Sequence, residues 1–225
     1  YKGQPVGSLA DMTCFSFHPV KTVTGGEGGA ITTNDEKLYR HLMRLRTHGI
    51  TRDPEEMVHP TDALWYNEQV ELGFNYRMTD FQAALLLSQL KKLPMFRARR
   101  KEIKKRYDEA FGKMPELILQ KEIPESDTTW HLYVLHLNLE NLNCDRRQFF
   151  DALYAEHTCP QVHYLPVYWH SYYEKLGYKK GLCPNAEKYY NEVMSIPLYY
   201  GLTDDDVEDV IHAVKKVVAY YTKLK

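Results

Sequence analysis

The sequence predicts a mixed fold of strands and helices, of the α/β or α+β class, and three observations carry that expectation. Two short runs rich in β-forming residues, 12–17 and 30–33, flank a glycine-rich turn. Later stretches place apolar residues at helical spacing, most clearly Val207, Val210, Ile211, Val214, Val217, Val218 and Tyr221. With 225 residues, 44% hydrophobic and 26% charged, the chain has ordinary globular composition and is long enough to bury a core.

Taken in order, the opening Tyr1-Lys2-Gly3-Gln4-Pro5-Val6-Gly7 reads as a turn inside a domain, which predicts a piece of a longer protein. After the two strands, Asn34 or Asp35 is placed to cap a helix running to about residue 46, with Leu38, Leu42 and Leu45 on one face. Residues 47–71 are polar, contain Pro54 and Pro60, and predict a long loop. Thr79 followed three positions later by Gln82 is a capping-box pattern. The helix it opens is apolar on nearly every side (Ala83 to Leu87), which predicts burial in the core or at a subunit interface. Pro94 is expected to kink or break that helix before a second stretch to about residue 111. Residues 132–139 alternate as a strand, and residues 145–156 predict a helix with Phe149, Phe150, Leu153 and Tyr154 inward. Thr203 with Asp204, Asp205 and Asp206 suits the positive end of a final helix.

Bulk charge narrows the partners. The 29 basic and 30 acidic residues give a net charge of -1, so no global field favours nucleic acid or an anionic membrane. Lys91, Lys92, Arg97, Arg99, Arg100, Lys101, Lys104, Lys105 and Arg106 form a basic helical segment. Such a run is normally a solvated face, and only Phe96 and Tyr107 neighbour it as aromatics, so nucleic-acid binding is the minor reading. No apolar run approaches the roughly 18 residues of a membrane-spanning helix. The scattered Cys14, Cys144, Cys159 and Cys183 lack C-x-x-C spacing, which predicts no metal site and reduced thiols in a cytoplasm.

The chemistry concentrates at Lys21. Cys14-Phe15-Ser16-Phe17-His18-Pro19-Val20-Lys21 runs from a strand into a loop, and Thr24-Gly25-Gly26-Glu27-Gly28-Gly29 leads into the next strand. A lysine held there is suited to imine formation with a carbonyl, since packed neighbours hold its amine in register, where the plain alternative is an exposed loop lysine. A phosphate-binding P-loop needs its glycines before the lysine. Here they follow it, and that reading fails.

Three segments in order then resemble one family. Ser16-Phe17-His18-Pro19-Val20-Lys21 with Glu27-Gly28-Gly29-Ala30 resembles the lysine region of the DegT/DnrJ/StrS sugar aminotransferases. Gly73-Phe74-Asn75-Tyr76-Arg77-Met78-Thr79-Asp80 with Gln82-Ala83-Ala84, and Gln161-Val162-His163-Tyr164 with Pro166, resemble its next two signatures. Within that family the His-Pro-Val-Lys form is most similar to enzymes that aminate a UDP-linked 4-keto-6-deoxy-N-acetylhexosamine on the way to pseudaminic acid.

The resemblance implies a fragment of a fold-type-I pyridoxal-phosphate transferase. Residues 1–78 would end its large cofactor-binding domain, 79–113 would be connecting helices, and 114–225 a small C-terminal α/β domain. It implies pyridoxal 5'-phosphate as cofactor, glutamate as amino donor, a nucleotide-linked keto sugar as acceptor, and a homodimer. Lys21 would hold the cofactor and act as acid/base. Ser16 would donate to its phosphate, where the plain alternative is a strand serine bonded to its own backbone. Asn75 would reach the phosphate of the neighbouring subunit's cofactor, where the alternative is a turn asparagine. His163 and Tyr164 would line the sugar-nucleotide pocket, against a loop histidine and a half-buried tyrosine. Gly25 stands where the family usually has threonine, and Thr22 where it often has proline. The aspartate that pairs with the pyridine nitrogen, the ring-stacking residue and the upstream phosphate turn would precede Tyr1. This stretch alone is therefore expected to bind the cofactor weakly or not at all, and a non-catalytic scaffold or binding domain of the same fold is the alternative.

Overall fold

A computed structural model describes residues 1–223. The chain divides into two compact units, Tyr1–Leu93 with Glu125–Asp127, and Pro94–Pro124 with the residues from Thr128 onward.

The first unit begins with β1 (Thr13–Ser16) and β2 (Gly29–Thr32), an antiparallel pair with Thr13 opposite Thr32 and Ser16 opposite Gly29. Asp35 caps α1 (Glu36–Arg46), its carboxylate accepting from the Lys37 and Leu38 backbone N–H groups at 2.7 and 3.0 Å. The predicted long loop holds two short strands, β3 (Ile50–Thr51) and β4 (Glu68–Gln69), paired antiparallel. Gly49 and Gly73 explain why the segment can fold this tightly. A Cβ on Gly49 would lie 1.8 Å from the Glu71 carbonyl oxygen, and one on Gly73 would lie 2.0 Å from the Gly49 nitrogen. Only paired glycines let the two backbones approach so closely.

The Thr79 capping box forms as expected. Thr79 N–H donates to Gln82 Oε1 (3.0 Å), and Gln82 N–H donates to Thr79 Oγ1 (3.3 Å). It opens α2 (Asp80–Phe111), which continues through Pro94 as one helix. A proline removes one backbone donor, a loss that a helix of this length absorbs without ending. Burial in the core does not follow, however. Among Ala83 to Leu87 only Leu86 is buried, while Leu87 is 63% exposed, as is Phe81 at 91%.

The second unit carries the packed core. Its sheet orders β5 (Leu117–Ile118), β6 (Tyr133–Leu137) and β7 (Val193–Ile196), all antiparallel. In β6, Tyr133, Leu135 and Leu137 point inward and their neighbours are half-buried, as strand alternation requires. All four residues of β7 are buried. The helices are α3 (Arg146–Ala155), α4 (Ser171–Lys175), α5 (Pro184–Glu192) and α6 (Asp204–Tyr221). The stripe Val207, Val210, Ile211, Val214, Val217 and Val218 is buried as predicted, and Ile103, Tyr107 and Phe111 of α2 join it in one cluster. In α3, Phe149 and Leu153 are buried and Phe150 packs against the core, but Tyr154 faces out. Its expected inward position is corrected because a stripe of 149, 150 and 153 already fills the face of a short helix.

The basic segment of α2 is tied down within this unit. Arg99 and Arg106 both reach Asp204 Oδ1, at 2.9 and 2.7 Å, and Arg106 also reaches Glu208 at 2.7 Å. Lys104 pairs with Asp108 at 2.6 Å and lies over the Trp130 ring. Hydrogen bonding from Arg99, joined by the charge of Arg106, holds the Asp204 carboxyl below its usual range, and Arg106 does the same for Glu208. A lowered folded pKa contributes stability above the unfolded carboxylate value, and that stability disappears as pH falls through the folded one. Melting temperature should therefore drop as pH is lowered from about 5 to about 2. Asp204→Asn should melt below wild type at neutral pH and converge with it in acid. A gap that persists unchanged at the lowest pH would disprove the linkage.

Candidate active site

Lys21 sits where strand geometry releases the chain. β1 ends at Ser16, Phe17 N–H donates to the Gly28 carbonyl (2.8 Å), and Gly25 N–H donates to the Phe17 carbonyl (3.1 Å). The residues between form an excursion closed at its neck. Thr24 reinforces the closure, its hydroxyl donating to the Phe17 carbonyl (2.9 Å) and accepting from Gly26 N–H (2.9 Å). Within the excursion each residue braces the next. His18 N–H donates to Ser16 Oγ (3.4 Å), Val20 N–H donates to His18 Nδ1 (3.4 Å), and Lys21 N–H donates to the His18 carbonyl (3.0 Å). Glu27 stands 3.8 Å from His18 Nε2. Lys21 is half-buried, and its backbone is held by the bond to His18.

Ser16 makes the local bond that the plain reading anticipates. That bond uses an oxygen lone pair only, so the hydroxyl proton remains available to an anion. Ser16 and Lys21 thus come from one braced turn, offering a hydroxyl donor and a primary amine. That donor set fits a group bearing both a phosphate and an aldehyde carbon.

Asn75 is held by a backbone ladder against the end of α1. Phe74 N–H donates to the Leu45 carbonyl (2.7 Å), Tyr76 N–H to the Arg46 carbonyl (3.0 Å), and His48 N–H to the Phe74 carbonyl (2.8 Å). Arg44 anchors the same segment through Glu71 at 2.6 Å. The Asn75 side chain is exposed.

His163 and Tyr164 belong to the second unit. Gln161 forms a β-bridge with Ser195 of β7, the two backbones exchanging N–H···O bonds of 3.0 and 2.7 Å. Two residues on, His163 Nδ1 lies 3.0 Å from Ser195 Oγ, and its ring meets Tyr164 edge-on with centroids 4.5 Å apart. Tyr164 is 74% exposed, not half-buried. Ser195 carries no signal in the sequence, since it lies in a strand of only four residues. Nor did it single out Thr24, whose hydroxyl closes the lysine excursion.

A cleft of about 390 Å³ lies elsewhere in the first unit, lined by Tyr39, Arg40, Arg44, Thr47, Arg52 and Asp53 among others. None of the five predicted site residues lines it. Arg40 pairs with Glu36 and Asp53 (2.9 and 3.2 Å), and Arg44 with Glu56 and Glu71 (2.8 and 2.6 Å), so two of the cleft's three arginines are already neutralised. Among the described residues, no group of three or more metal-ligating side chains converges, and no helix is long and apolar enough to cross a membrane.

The mixed helices and strands, with a lysine in a braced turn between two of them, have the fold of fold-type-I pyridoxal-phosphate-dependent transferases, as solved structures confirm. The Helicobacter pylori PseC structure, an aminotransferase involved in the biosynthesis of pseudoaminic acid, matches with a TM-score of 0.87 at 30% identity, over 98% of this chain and 56% of its own. The chain belongs to the DegT/DnrJ/EryC1/StrS aminotransferase family, matched over residues 1–215. The family's aminotransferases depend on pyridoxal phosphate, and matched structures include both PLP and PMP forms. The spore coat polysaccharide biosynthesis protein SpsC of Bacillus subtilis is 40% identical over 97% of this chain and 56% of its own length. The UDP-4-amino-4,6-dideoxy-N-acetyl-beta-L-altrosamine transaminase of Campylobacter jejuni is 36% identical over the same shares. The chain thus spans little more than half the length of the curated relatives it matches.

Proposed function

We propose that the full-length protein is a pyridoxal-phosphate-dependent aminotransferase that moves an amino group from glutamate to the C4 ketone of a nucleotide-linked 4-keto-6-deoxy sugar, of the kind used in pseudaminic acid synthesis. The observation that carries this reading is the half-buried Lys21 in its closed excursion, in the same braced turn as Ser16, in a chain of this family. Residues 1–78 are the end of the cofactor-binding domain, 79–113 the connection, and 114–225 the small domain.

The bound cofactor supplies an electron sink for the carbon that exchanges its amine. Lys21 would hold the cofactor through its amine and, when free of it, would hold and move a proton at Nζ as the acid/base. Ser16 donates its hydroxyl to the phosphate. Asn75 gives its amide to the phosphate in the neighbouring subunit, which makes a homodimer part of the proposal. The exposed apolar start of α2 supports it, since Phe81 and Leu87 are costly to leave in water. His163 and Tyr164 line the sugar-nucleotide pocket. The protein acts in the cytoplasm, and this chain alone is inactive.

The test is to incubate the full-length protein with glutamate, the cofactor and a UDP-linked 4-keto-6-deoxy-N-acetylhexosamine. A 4-amino sugar and 2-oxoglutarate are the expected products, read by mass spectrometry. Turnover of glutamate with no keto sugar aminated would refute the acceptor class.

A further inference from the structure

The segment that carries His163 and Tyr164 is held at both ends by one stretch of chain. Upstream, Gln161 exchanges its two backbone bonds with Ser195 of β7 (3.0 and 2.7 Å). Downstream, Tyr168 and Trp169 reach Glu187 of α5, the helix that runs directly into β7. One carboxylate oxygen, Glu187 Oε1, accepts from the Tyr168 hydroxyl at 2.6 Å, from Trp169 Nε1–H at 3.3 Å and from the Gly181 backbone N–H. The Tyr168 oxygen in turn accepts from the Cys183 N–H at 3.2 Å. Residues 168–183 are thus closed into a strap whose two ends meet at a single side chain.

An ionised carboxylate suits that place. It is an acceptor only, it takes several donors at once, and bonds to its charge are stronger than neutral ones. Hydrogen bonding from Tyr168 holds the Glu187 carboxyl below its usual range, so it is ionised near neutral pH. The Trp169 indole is braced further: the Lys180 ammonium lies 4.4 Å from its ring, and Tyr190 meets it edge-on with centroids 5.5 Å apart. Trp169 N–H also donates to the carbonyl of the buried Pro166 at 2.8 Å, which carries the restraint back toward Tyr164. A ring as exposed as Tyr164, at 74%, has little packing of its own, so its place depends on how the backbone on either side is fixed.

We propose that Glu187 is a positioning residue that fixes the downstream half of the His163–Tyr164 segment through Tyr168 and Trp169, and so sets where Tyr164 meets the nucleotide-linked sugar. The inference rests on the reading of Tyr164 as a substrate-contacting residue. Every partner in the clasp belongs to the second unit, whereas Lys21 and Ser16 belong to the first, so substitution at Glu187 is expected to weaken sugar-nucleotide binding and spare the chemistry at the lysine.

Hydrogen exchange in the full-length protein reads the positioning without any need for activity. Glu187→Gln should raise exchange at least about fivefold in peptides covering residues 161–169 and 178–183 while leaving β6 at its wild-type rate. Tyr168→Phe and Trp169→Phe each keep a ring and remove one donor. They should act in the same direction to a smaller extent, and they carry the test if Glu187→Gln does not fold. In the same protein, Glu187→Gln should raise KM for the UDP-linked 4-keto-6-deoxy-N-acetylhexosamine about tenfold, with kcat within about twofold and glutamate KM unchanged. A residue that only stabilised the fold would not single out that one constant. Unchanged exchange in residues 161–169 overturns the proposal whatever the kinetics. If Tyr164→Ala raises that KM while Glu187→Gln and Tyr168→Phe do not, positioning by Glu187 is wrong and the site reading stands. If Tyr164→Ala leaves KM unchanged, the reading of Tyr164 fails, and the proposal with it.

Discussion

Replacing Lys21 with alanine in the full-length protein should abolish amino transfer, lowering turnover by at least about 10²–10⁴-fold. Absorbance reporting covalent attachment of the cofactor should vanish with it. The neck of the excursion is closed by Phe17, Thr24, Gly25 and Gly28, and Lys21 N–H is bonded back to His18, so the backbone beneath the amine does not need to be ordered when a substrate arrives. A preordered acid/base acts as an intramolecular group, and its deletion leaves nothing else in the turn able to do the same work. His18 is a titratable residue of the same turn, and its Nδ1 already accepts from Val20 N–H. Lys21→Arg is the informative control. A lysine that merely held a phosphate by charge would be replaced in part by arginine, whereas a guanidinium stays protonated and neither attacks a carbonyl nor shuttles a proton near neutral pH. Both variants should therefore be inactive, while Ser16→Ala should weaken cofactor affinity about tenfold and retain turnover at saturation. Turnover rescued by arginine would rule out the acid/base role of Lys21.

What was legible in the sequence was local. Asp35, Thr79 with Gln82, and Thr203 with Asp206 announce helix starts because each cap joins residues two or three positions apart, and all of these bonds form. The α6 stripe was readable because six buried positions repeat one helical period. The lysine turn was readable for the same reason: its chemistry sits in one contiguous segment. Long-range partnerships were not. Ser195 meets His163 across 32 positions, and the four residues of β7 are too few to show a period. The order within residues 47–71 depends on Gly49 meeting Gly73 and Arg44 meeting Glu71, pairs that look like loop composition until they face each other. The basic run of α2 misled by composition, since a lysine and an arginine five positions apart there have opposite fates: Lys105 is exposed and Arg100 is inside.

Arg100 carries the largest expected effect on stability. It is 6% exposed, and its Nη1 donates to three carbonyls, Trp130 (3.1 Å), His131 (3.1 Å) and Leu198 (2.7 Å). No carboxylate pairs with it among the described residues, and burial pushes its pKa down from the ordinary arginine value. A buried cation without an anion is normally a liability, and replacing a buried charge with an apolar side chain often stabilises a protein. Here the opposite is expected, because the partners are fixed backbone carbonyls that leucine would leave stranded. One of them follows a strained backbone: Trp130 sits at φ +54°, a conformation a non-glycine residue keeps only when its surroundings impose it. Arg100→Leu should therefore destabilise the second unit by about 3–5 kcal/mol, seen as a melting temperature about 10 °C lower or more. Arg100→Lys keeps the charge and a donor on a single point, and should fall between. Lys105→Leu, on the exposed side of the same helix, should change stability by no more than about 0.5 kcal/mol. Equal effects from the two leucine variants would mean that the three carbonyls find water when the guanidinium is gone, and that hydrophobic packing alone holds the joint between α2 and β6.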